Sequence, residues 1–272
     1  MAIQVTKFSG NVEDFSEEKV LHSMRRVGLP ESLYPHVLEH IRERIHDNKI
    51  TTNELMYHIN EFLEMNDKKA GVRYNLRRAL AELGPSGFPF EKYLARVFES
   101  LGYQAETNLF LNGECVTHEI DVLIQKDGKR EIVEAKFHNQ PGGRSDVQDV
   151  LYTNARFWDV KDKNNIDRVW IVTNTKLTTD ARQYAECKGI QAVGWNYPNE
   201  GNLQDMVEQP QLYPITILDD LATHEKERLV QENKVLCRDL LALSDEELMN
   251  VYGIDRDHIT AAKEKAKLVC TL

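Results

Sequence analysis

The sequence predicts a mixed α/β fold, with a central domain of element order αβββαβαβ between two mainly helical segments. Three observations lead to this prediction. The stretches "GPSGFP" (84–89) and "NYPNEGNLQDMVEQPQLYP" (196–214) interrupt the periodic patterns with Gly and Pro. Between them, short apolar runs typical of strands alternate with helical patterns. We therefore divide the chain into residues 1–84, 85–200 and 201–272.

The composition is typical of a soluble globular protein. The 272 residues include 41% hydrophobic and 29% charged side chains, and the net charge is −10. No apolar run approaches the roughly 20 residues of a membrane span, and the N-terminus lacks a signal-peptide pattern. The four cysteines are scattered, so neither zinc nor a disulfide framework is indicated. We expect a cytoplasmic protein that does not bind membranes, and its acidity argues against non-specific coating of nucleic acid.

The first segment is predicted to be a hairpin followed by helices. "IQVTKFSGNVEDF" indicates a short hairpin that turns at Ser9-Gly10-Asn11. Ser16 and Thr52 stand where helix N-caps are expected. The predicted helices are "SEEKVLHSMRRVG", "YPHVLEHIRERIHD", "TTNELMYHINEFLEMN" and "AGVRYNLRRALAEL".

The central segment supplies the α/β pattern. It is predicted to run through helix "PFEKYLARVFESLG", strands "YQAETNLFLN", "EIDVLIQ" and "REIVEAKF", helix "RSDVQDVLYTNARFWD", strand "RVWIVTN", helix "TTDARQYAECKG" and strand "IQAVGW". The last segment, after residue 200, indicates several short amphipathic helices.

Asp127-Gly128 predicts a two-residue type I′ hairpin, and such a loop fixes the strand register. Counting outward, the register pairs Lys126 with Lys129, Leu123 with Ile132, Asp121 with Glu134, and Glu119 with Lys136. Opposed residues share a face, with Cβ atoms about 4.5–5.5 Å apart. The hairpin therefore predicts two carboxylates side by side, with Lys136 one step along.

This arrangement indicates metal-assisted hydrolysis. Two opposed carboxylates repel each other, and a divalent cation held by both would offset the repulsion. Carboxylate oxygens suit Mg²⁺ or Mn²⁺. The metal would stabilise charge and activate water, and Lys136 would steady the nucleophile or the phosphorane of a phosphodiester. The alternative is a solvated charge pair on an exposed strand face.

The central segment resembles the PD-(D/E)xK nuclease superfamily, and most closely its Mrr-like restriction-endonuclease branch. "HEIDVLI" and "IVEAKFH" resemble the acidic strand and the (D/E/Q)xK strand. "DVQDVLYTNAR", "LTTDARQYAECKGIQAVGW" and "FEKYLARVFESLGYQAE" resemble other parts of that domain, and the likeness covers about 88–196. Glu134 stands where many Mrr-like members have glutamine. The glutamate is the commoner form in the superfamily and favours metal binding.

The resemblance implies roles for individual residues. Asp121 and Glu134 are predicted metal ligands. Ala135, which lies between Glu134 and Lys136, is the third predicted ligand. Asp121, Glu134 and Lys136 are the predicted catalytic residues, and Gln148 supports them from the adjacent helix. Glu91 occupies the acidic position of the opening helix; its alternative role is that of a solvated acid near a helix N-terminus.

The N-terminal segment resembles an ATP-cone, a small nucleotide-sensing domain, over about residues 3–83. "IQVTKFSGNVEDFSEEKVLHSM" carries the basic residue, glycine, phenylalanine and lysine of that family at Lys7, Gly10, Phe15 and Lys19. The resemblance implies that these residues bind ATP or dATP without hydrolysing it. Phe8 stands where the family has an arginine, so one contact to a phosphate or the base of the nucleotide is lost. The alternative is a structural or dimerising module.

The C-terminal "YGIDRDHI" faintly resembles half of a helix-hairpin-helix, whose backbone N–H groups contact DNA phosphates; the alternative is a helical cap or dimerisation element. Together these observations predict a magnesium-dependent deoxyribonuclease of the restriction-endonuclease type, acting in restriction or genome defence and regulated by an adenine nucleotide. DNA, that nucleotide and further copies of the chain are its expected partners. The alternative function is a catalytically inactive, nucleotide-responsive DNA-binding or regulatory protein.

Overall fold

A computed structural model of the chain describes residues 3–7, 10–140 and 142–271. Phe8 and Ser9, which belong to the predicted hairpin turn and the cone resemblance, lie outside the described residues. The chain divides into two compact units, residues 1–76 and 77–272. The helix Lys68–Ala81 begins in the first unit and ends in the second.

The first unit combines a small sheet with helices, as predicted. Its elements are β1 (Gln4–Thr6), β2 (Val12–Asp14), α1 (Glu17–Arg26), α2 (Tyr34–Arg42), β3 (Lys49–Thr51), α3 (Thr52–Asn66) and the start of α4 (Lys68–Ala81). β1 and β2 form the predicted antiparallel hairpin, with Thr6 paired to Val12. β3 lies parallel to β1, which the sequence analysis did not predict.

The two predicted N-caps have different outcomes. Ser16 has extended backbone angles, and its side chain accepts a hydrogen bond from the Lys19 N–H, so this prediction is confirmed. The prediction of Thr52 is wrong, because Thr51 is the N-cap of α3. Thr51 is extended, with ψ of 160°, and forms a capping box with Glu54. Thr52 is already the first helical residue.

The core of the first unit forms between α1, α2 and α3. Met24, Val37, Ile41 and Leu63 are completely buried there. Each belongs to the apolar stripe of its helix, which explains why these helices pack on one another. Phe15, just before α1, packs against the same cluster.

The second unit contains the predicted mixed α/β order, with two short strands added. Its elements are α5 (Phe88–Ser100), β4 (Gln104–Asn112), β5 (Thr117–Lys126), β6 (Lys129–Lys136), β7 (Arg144–Ser145), α6 (Val147–Asn164), β8 (Arg168–Thr173), β9 (Lys176–Leu177), α7 (Thr179–Lys188) and β10 (Gln191–Val193). The main sheet has the order β10-β8-β6-β5-β4. Its β4, β5 and β6 are antiparallel, whereas β8 is parallel to β6 and to β10.

The predicted register of the β5–β6 hairpin is confirmed for the pairs next to the turn. Asp127 and Gly128 both have positive φ, 50° and 76°, as a type I′ turn requires. Lys126 pairs with Lys129, and Leu123 pairs with Ile132. Val122 and Val133 are the last residues matched in this ladder. The predicted pairs Asp121–Glu134 and Glu119–Lys136 lie beyond this ladder and stay predictions.

β5 changes its orientation close to Asp121. Ile120 and Leu123 are three residues apart and would face opposite sides of a regular strand. Both nevertheless join the core cluster that contains Val150 and Phe157 of α6. On neighbouring β4, Asn108 has φ of 59° and lies between the pairs that Thr107 and Leu109 make with β5. The paired strands therefore turn at the level of Asp121.

The C-terminal segment consists of short helices that pack within the second unit. They are α8 (Leu203–Glu208), α9 (Thr223–Gln231), α10 (Cys237–Ala242), α11 (Asp245–Asn250) and α12 (Arg256–Val269). The buried Tyr93 hydroxyl donates to the Leu212 carbonyl over 2.7 Å, and Arg96 forms an ion pair with Asp239 at 3.2 Å. Among the described residues, no helix has the length and apolar character needed to cross a bilayer.

The turn that resembles half of a helix-hairpin-helix has its N–H groups occupied within the protein. The Gly253 and Ile254 amides donate to carbonyls at the end of α11, and the Asp255 amide reaches Glu225. Such amides are not free to contact a phosphate in this conformation. The alternative, a helical cap, agrees with these contacts.

Candidate functional site

The candidate active site lies at the end of β6, where Glu134 and Lys136 share a face. Lys136 Nζ is 2.8 Å from Glu134 Oε1. Glu134 is only 6% exposed, whereas Lys136 is 26% exposed. A buried carboxylate at the end of a strand requires cationic partners, because burial disfavours its charge. The interpretation as a solvated charge pair on an exposed face therefore does not fit Glu134.

Asp121 lies one step beyond the last matched pair of the β5–β6 ladder and is close enough to feel the charge of Glu134. Its carboxylate Oδ2 accepts a hydrogen bond of 2.7 Å from the Ala135 backbone N–H. This bond ties the side chain of one strand to the backbone of the other just beyond the last matched pair. Asp121 is half-buried, and burial, followed by the charge of Glu134, raises its pKa to about 6. The structure thus brings Asp121, Glu134 and Lys136 together.

Glu91, on the first turn of α5, joins the same group of carboxylates. Burial raises its pKa to about 7, and the charges of Asp121, Glu119 and Glu134 contribute to the rise. Burial is the main cause of both raised pKa values, and a bound divalent cation would favour the ionised form of these carboxylates.

Arg156, on α6, is the main residue that the sequence analysis missed. Its guanidinium donates from Nη1 to Glu134 Oε2 at 2.5 Å, so Glu134 has a cation on each oxygen. Tyr152 holds the guanidinium from one helical turn away. The Tyr152 hydroxyl lies 3.2 Å from Nη2, and the ring centroid lies 4.9 Å from Cζ.

The start of α6 fixes which residues reach the site. Asp146 is the N-cap, and its carboxylate accepts from the Gln148 and Asp149 amides in a capping box. Gln148, predicted to support the catalytic residues, has an exposed side chain. Asp149 instead points toward Lys136, with its Oδ1 3.9 Å from Nζ.

A signal for these residues was present in the sequence. Asp149, Tyr152 and Arg156 have the spacing i, i+3, i+7, which places them on one face of the predicted helix. That face carries two charged residues and a tyrosine, whereas a helix packed on a sheet normally presents apolar residues. The sequence could not show that β6 supplies the carboxylate that Arg156 contacts.

The oxygen donors of the site fit a hard divalent cation. Asp121 and Glu134 offer carboxylates, Glu91 lies near them, and Ala135 has only its backbone carbonyl to offer as a ligand. Oxygen-only donors with excess negative charge suit Mg²⁺ or Mn²⁺ rather than a thiolate-seeking metal. The residues present therefore fit the predicted cation.

The predicted nucleotide-binding residues are only partly brought together. Lys7 and Lys19 both contact Glu13 Oε1, at 2.6 and 2.7 Å. These bonds, that of Lys19 first, lower the pKa of Glu13. Gly10 lies nearby in the hairpin turn with φ of 82°. Phe15 packs in the core of the first unit, so its position serves the fold.

A second group of ligand-type side chains lies in the C-terminal segment: Glu225, Asp255 and His258. The buried Glu225 carboxylate accepts from the Ala222 amide at 2.7 Å and lies 3.0 Å from His258 Nδ1. The Asp255 amide is directed at the same carboxylate. These bonds join α9 to the start of α12, so protein donors already occupy this carboxylate.

The chain is similar to known proteins in both parts of the second unit. Residues 84–195 match the family described as restriction endonuclease, and residues 213–270 match "AF1548-like, C-terminal". An uncharacterized protein from Archaeoglobus fulgidus is 39% identical over 158 residues, which are 58% of this chain and 89% of the relative. A solved structure, titled as the protein of unknown function AF1548, is 35% identical with a TM-score of 0.60. It covers 68% of this chain and 99% of its own. The chain therefore belongs to the AF1548-like family, with a restriction-endonuclease domain at residues 84–195 and an AF1548-like C-terminal domain at residues 213–270.

Proposed function

We propose that this protein is a metal-dependent DNA endonuclease that hydrolyses phosphodiester bonds. The observation that carries the proposal is the convergence of Asp121, Glu134 and Lys136 at one end of the hairpin, inside a restriction-endonuclease domain. DNA is the substrate that such a domain implies. A role in restriction or genome defence is the corresponding biological setting.

Each residue has a distinct task in this proposal. Asp121 and Glu134, with the Ala135 carbonyl, would hold Mg²⁺ or Mn²⁺, which supplies Lewis-acid stabilisation of charge on the phosphate when bound. Lys136 is partly exposed at the mouth of the site and is charged, because Glu134 and Asp149 lie beside it. It can therefore orient a water molecule by hydrogen bonding and stabilise the phosphorane.

The direct test is incubation of the purified protein with supercoiled plasmid DNA and Mg²⁺ or Mn²⁺, with EDTA as the metal-free control. We expect nicking or linearisation that requires the metal, and a loss of at least about 100-fold in Lys136→Met. Lys129→Met is the matched control, since Lys129 is an exposed lysine at the other end of β6. Equal cleavage by wild type and Lys136→Met contradicts the assignment.

The alternative, a catalytically inactive DNA-binding regulator, predicts a different result in the same assay. Such a protein would bind DNA without cleaving it under any metal condition. Measurement of DNA binding in Ca²⁺ alongside cleavage in Mg²⁺ separates the two functions.

A regulatory role for the first unit is a further part of the proposal. Lys7 and Lys19 converge on Glu13 beside the hairpin glycine, so two ammonium groups lie where a phosphate could replace one carboxylate. We infer that ATP or dATP binds there as in an ATP-cone. Its effect on cleavage would be exerted through a change of global state, of which self-association is the simplest.

A further inference from the structure

We propose that Arg156 competes with the divalent cation for Glu134, so that the free enzyme holds its metal site closed with an internal cation. This inference rests on the proposed function, because it concerns how the same site accepts its metal. It adds a residue that regulates metal binding to the residues that bind the metal.

The first observation is that both oxygens of Glu134 are engaged by cationic side chains. Oε1 contacts Lys136 Nζ at 2.8 Å, and Oε2 accepts from Arg156 Nη1 at 2.5 Å. Glu134 itself is 6% exposed. A cation that uses Oε2 must therefore displace the guanidinium or share the oxygen with it, and two positive charges at one oxygen repel each other.

The second observation is that the direct hydrogen-bond support of Arg156, apart from Glu134, comes from a residue at the surface. The side chain is 12% exposed, and its Nε is buried without a hydrogen-bond partner among the residues that the structure describes. Its other contacts include the Tyr152 hydroxyl at 3.2 Å and the face of that ring, and the charge of Asp121 also attracts it. Tyr152 is 55% exposed, so this support lies at the surface and can move.

These contacts indicate that the Arg156 guanidinium can move away from Glu134. A buried guanidinium with an unpaired donor is costly to keep, since each unsatisfied polar atom retains its desolvation penalty. The charge of Arg156 compensates the charge of Glu134 only while no metal is bound. Once a cation neutralises Glu134, the electrostatic reason for Arg156 to remain at Oε2 is lost.

The test is a titration of Mn²⁺ by calorimetry without DNA, which measures metal binding separately from cleavage. We expect Arg156→Gln to bind Mn²⁺ at least about tenfold more tightly than wild type, which corresponds to about 1.4 kcal/mol. Arg156→Lys keeps the charge and should bind at nearly the wild-type level. Arg182→Gln is the matched control, because Arg182 also lies over a tyrosine ring, that of Tyr197, at 5.4 Å.

The outcomes separate this inference from the proposed function. Equal or weaker Mn²⁺ binding by folded Arg156→Gln overturns the inference alone. No Mn²⁺ binding by wild type or any variant overturns the metal-dependent function and this inference with it. If Arg156→Gln does not fold, Tyr152→Phe loosens the same guanidinium and should also tighten binding; unchanged affinity in that variant overturns the inference.

Discussion

The Asp121 carboxylate accepts a 2.7 Å hydrogen bond from the Ala135 amide and holds together two strands just beyond the last matched pair of their ladder. This relationship sets the position of one proposed metal ligand relative to the other, since Ala135 directly follows Glu134. It also places a charged group in a partly buried position. The energetic consequence is measurable without any assay of activity.

Asp121→Asn should stabilise the protein at pH 7.5 in the presence of EDTA. Asparagine still accepts the Ala135 hydrogen bond through its Oδ1 but carries no charge beside Glu134. The folded pKa of Asp121, about 6, exceeds the ordinary value of 3.8. Its contribution to stability is therefore fully present below pH 3.8 and is lost as the pH rises through about 6. We expect a gain of about 1–3 kcal/mol by urea denaturation.

The same experiment at pH 4.5 provides the internal control. There the wild-type carboxyl is largely protonated, so the two proteins should differ much less. An advantage of Asp121→Asn that is equally large at both pH values would mean that the charge on Asp121 is not the cause.

Glu134→Ala should destabilise the fold more than Lys136→Ala does. Removal of Glu134 takes the carboxylate partner from both Arg156 and Lys136, and a hydrogen bond to a charged group contributes about 1.5–3 kcal/mol. Lys136 is more exposed, and Lys136→Ala leaves Glu134 its ion pair with Arg156. The expected loss of stability is therefore smaller. Thermal unfolding measures both effects. The double variant Glu134→Ala/Arg156→Leu should recover much of the loss, and failure to recover it would contradict the explanation. Glu134→Gln is the better variant for cleavage assays.

Cation binding should strengthen as the pH rises from 5.5 to 7.5. The metal needs ionised carboxylates, and the pKa values of Asp121 and Glu91 are about 6 and about 7. Below these values bound protons oppose the metal. Calorimetry in two buffers of different ionisation enthalpy should show proton release on Mn²⁺ binding. Glu91→Gln should reduce the release near pH 7, and an unchanged release would exclude Glu91 from the site.

Gly113→Ala should destabilise the second unit. A Cβ at this position would lie 1.9 Å from Asp159 Oδ2 and 2.6 Å from the Val116 carbonyl oxygen. Asp159 has little freedom to move, because it accepts from the Cys115 amide and bonds to His118. We expect a loss of about 2 kcal/mol in chemical denaturation. Gly142→Ala is the matched control, since no atom of the described residues beyond its chain neighbours lies within 4 Å of its Cβ position.

Lys19→Ala should weaken the proposed binding of ATP or dATP to the first unit. Loss of the ammonium removes one charge-assisted contact to a phosphate. Calorimetry with ATP, dATP and ADP, together with light scattering for mass, tests binding and association. Lys49→Ala on β3 is the control, as another exposed lysine of the same unit. The absence of any binding heat with wild type would reject the sensor proposal.

The parts of the fold that depend on local sequence could be predicted. The Asp127-Gly128 turn determined the β5–β6 register, because a type I′ turn leaves only one pairing for the residues on either side. The helices followed from their apolar stripes. β3 was missed because it has a single buried residue, Ile50, and its partner β1 lies more than 40 residues earlier in the chain. No local pattern encodes such a pairing.

The proximity of the strand residues could be predicted, whereas the helix residue beside them was missed. Asp121, Glu134 and Lys136 lie on the hairpin whose register the turn fixes. Arg156 reaches Glu134 only because α6 packs across the sheet, and that placement depends on the shape of the core. The turn of β5 near Asp121 also depends on packing, since Ile120 and Leu123 are both drawn into the cluster under α6.

The positive φ of Asn108 also has a consequence for β4, which lies at the opposite edge of the sheet from β10. β4 is an edge strand of nine residues, and its outer backbone groups could template the addition of a strand from another molecule. A residue with φ of 59° in its middle rotates the adjacent peptide planes, so the outward donors and acceptors do not form a continuous row. The irregularity of β4 thereby interrupts the row of backbone groups that an added strand would need.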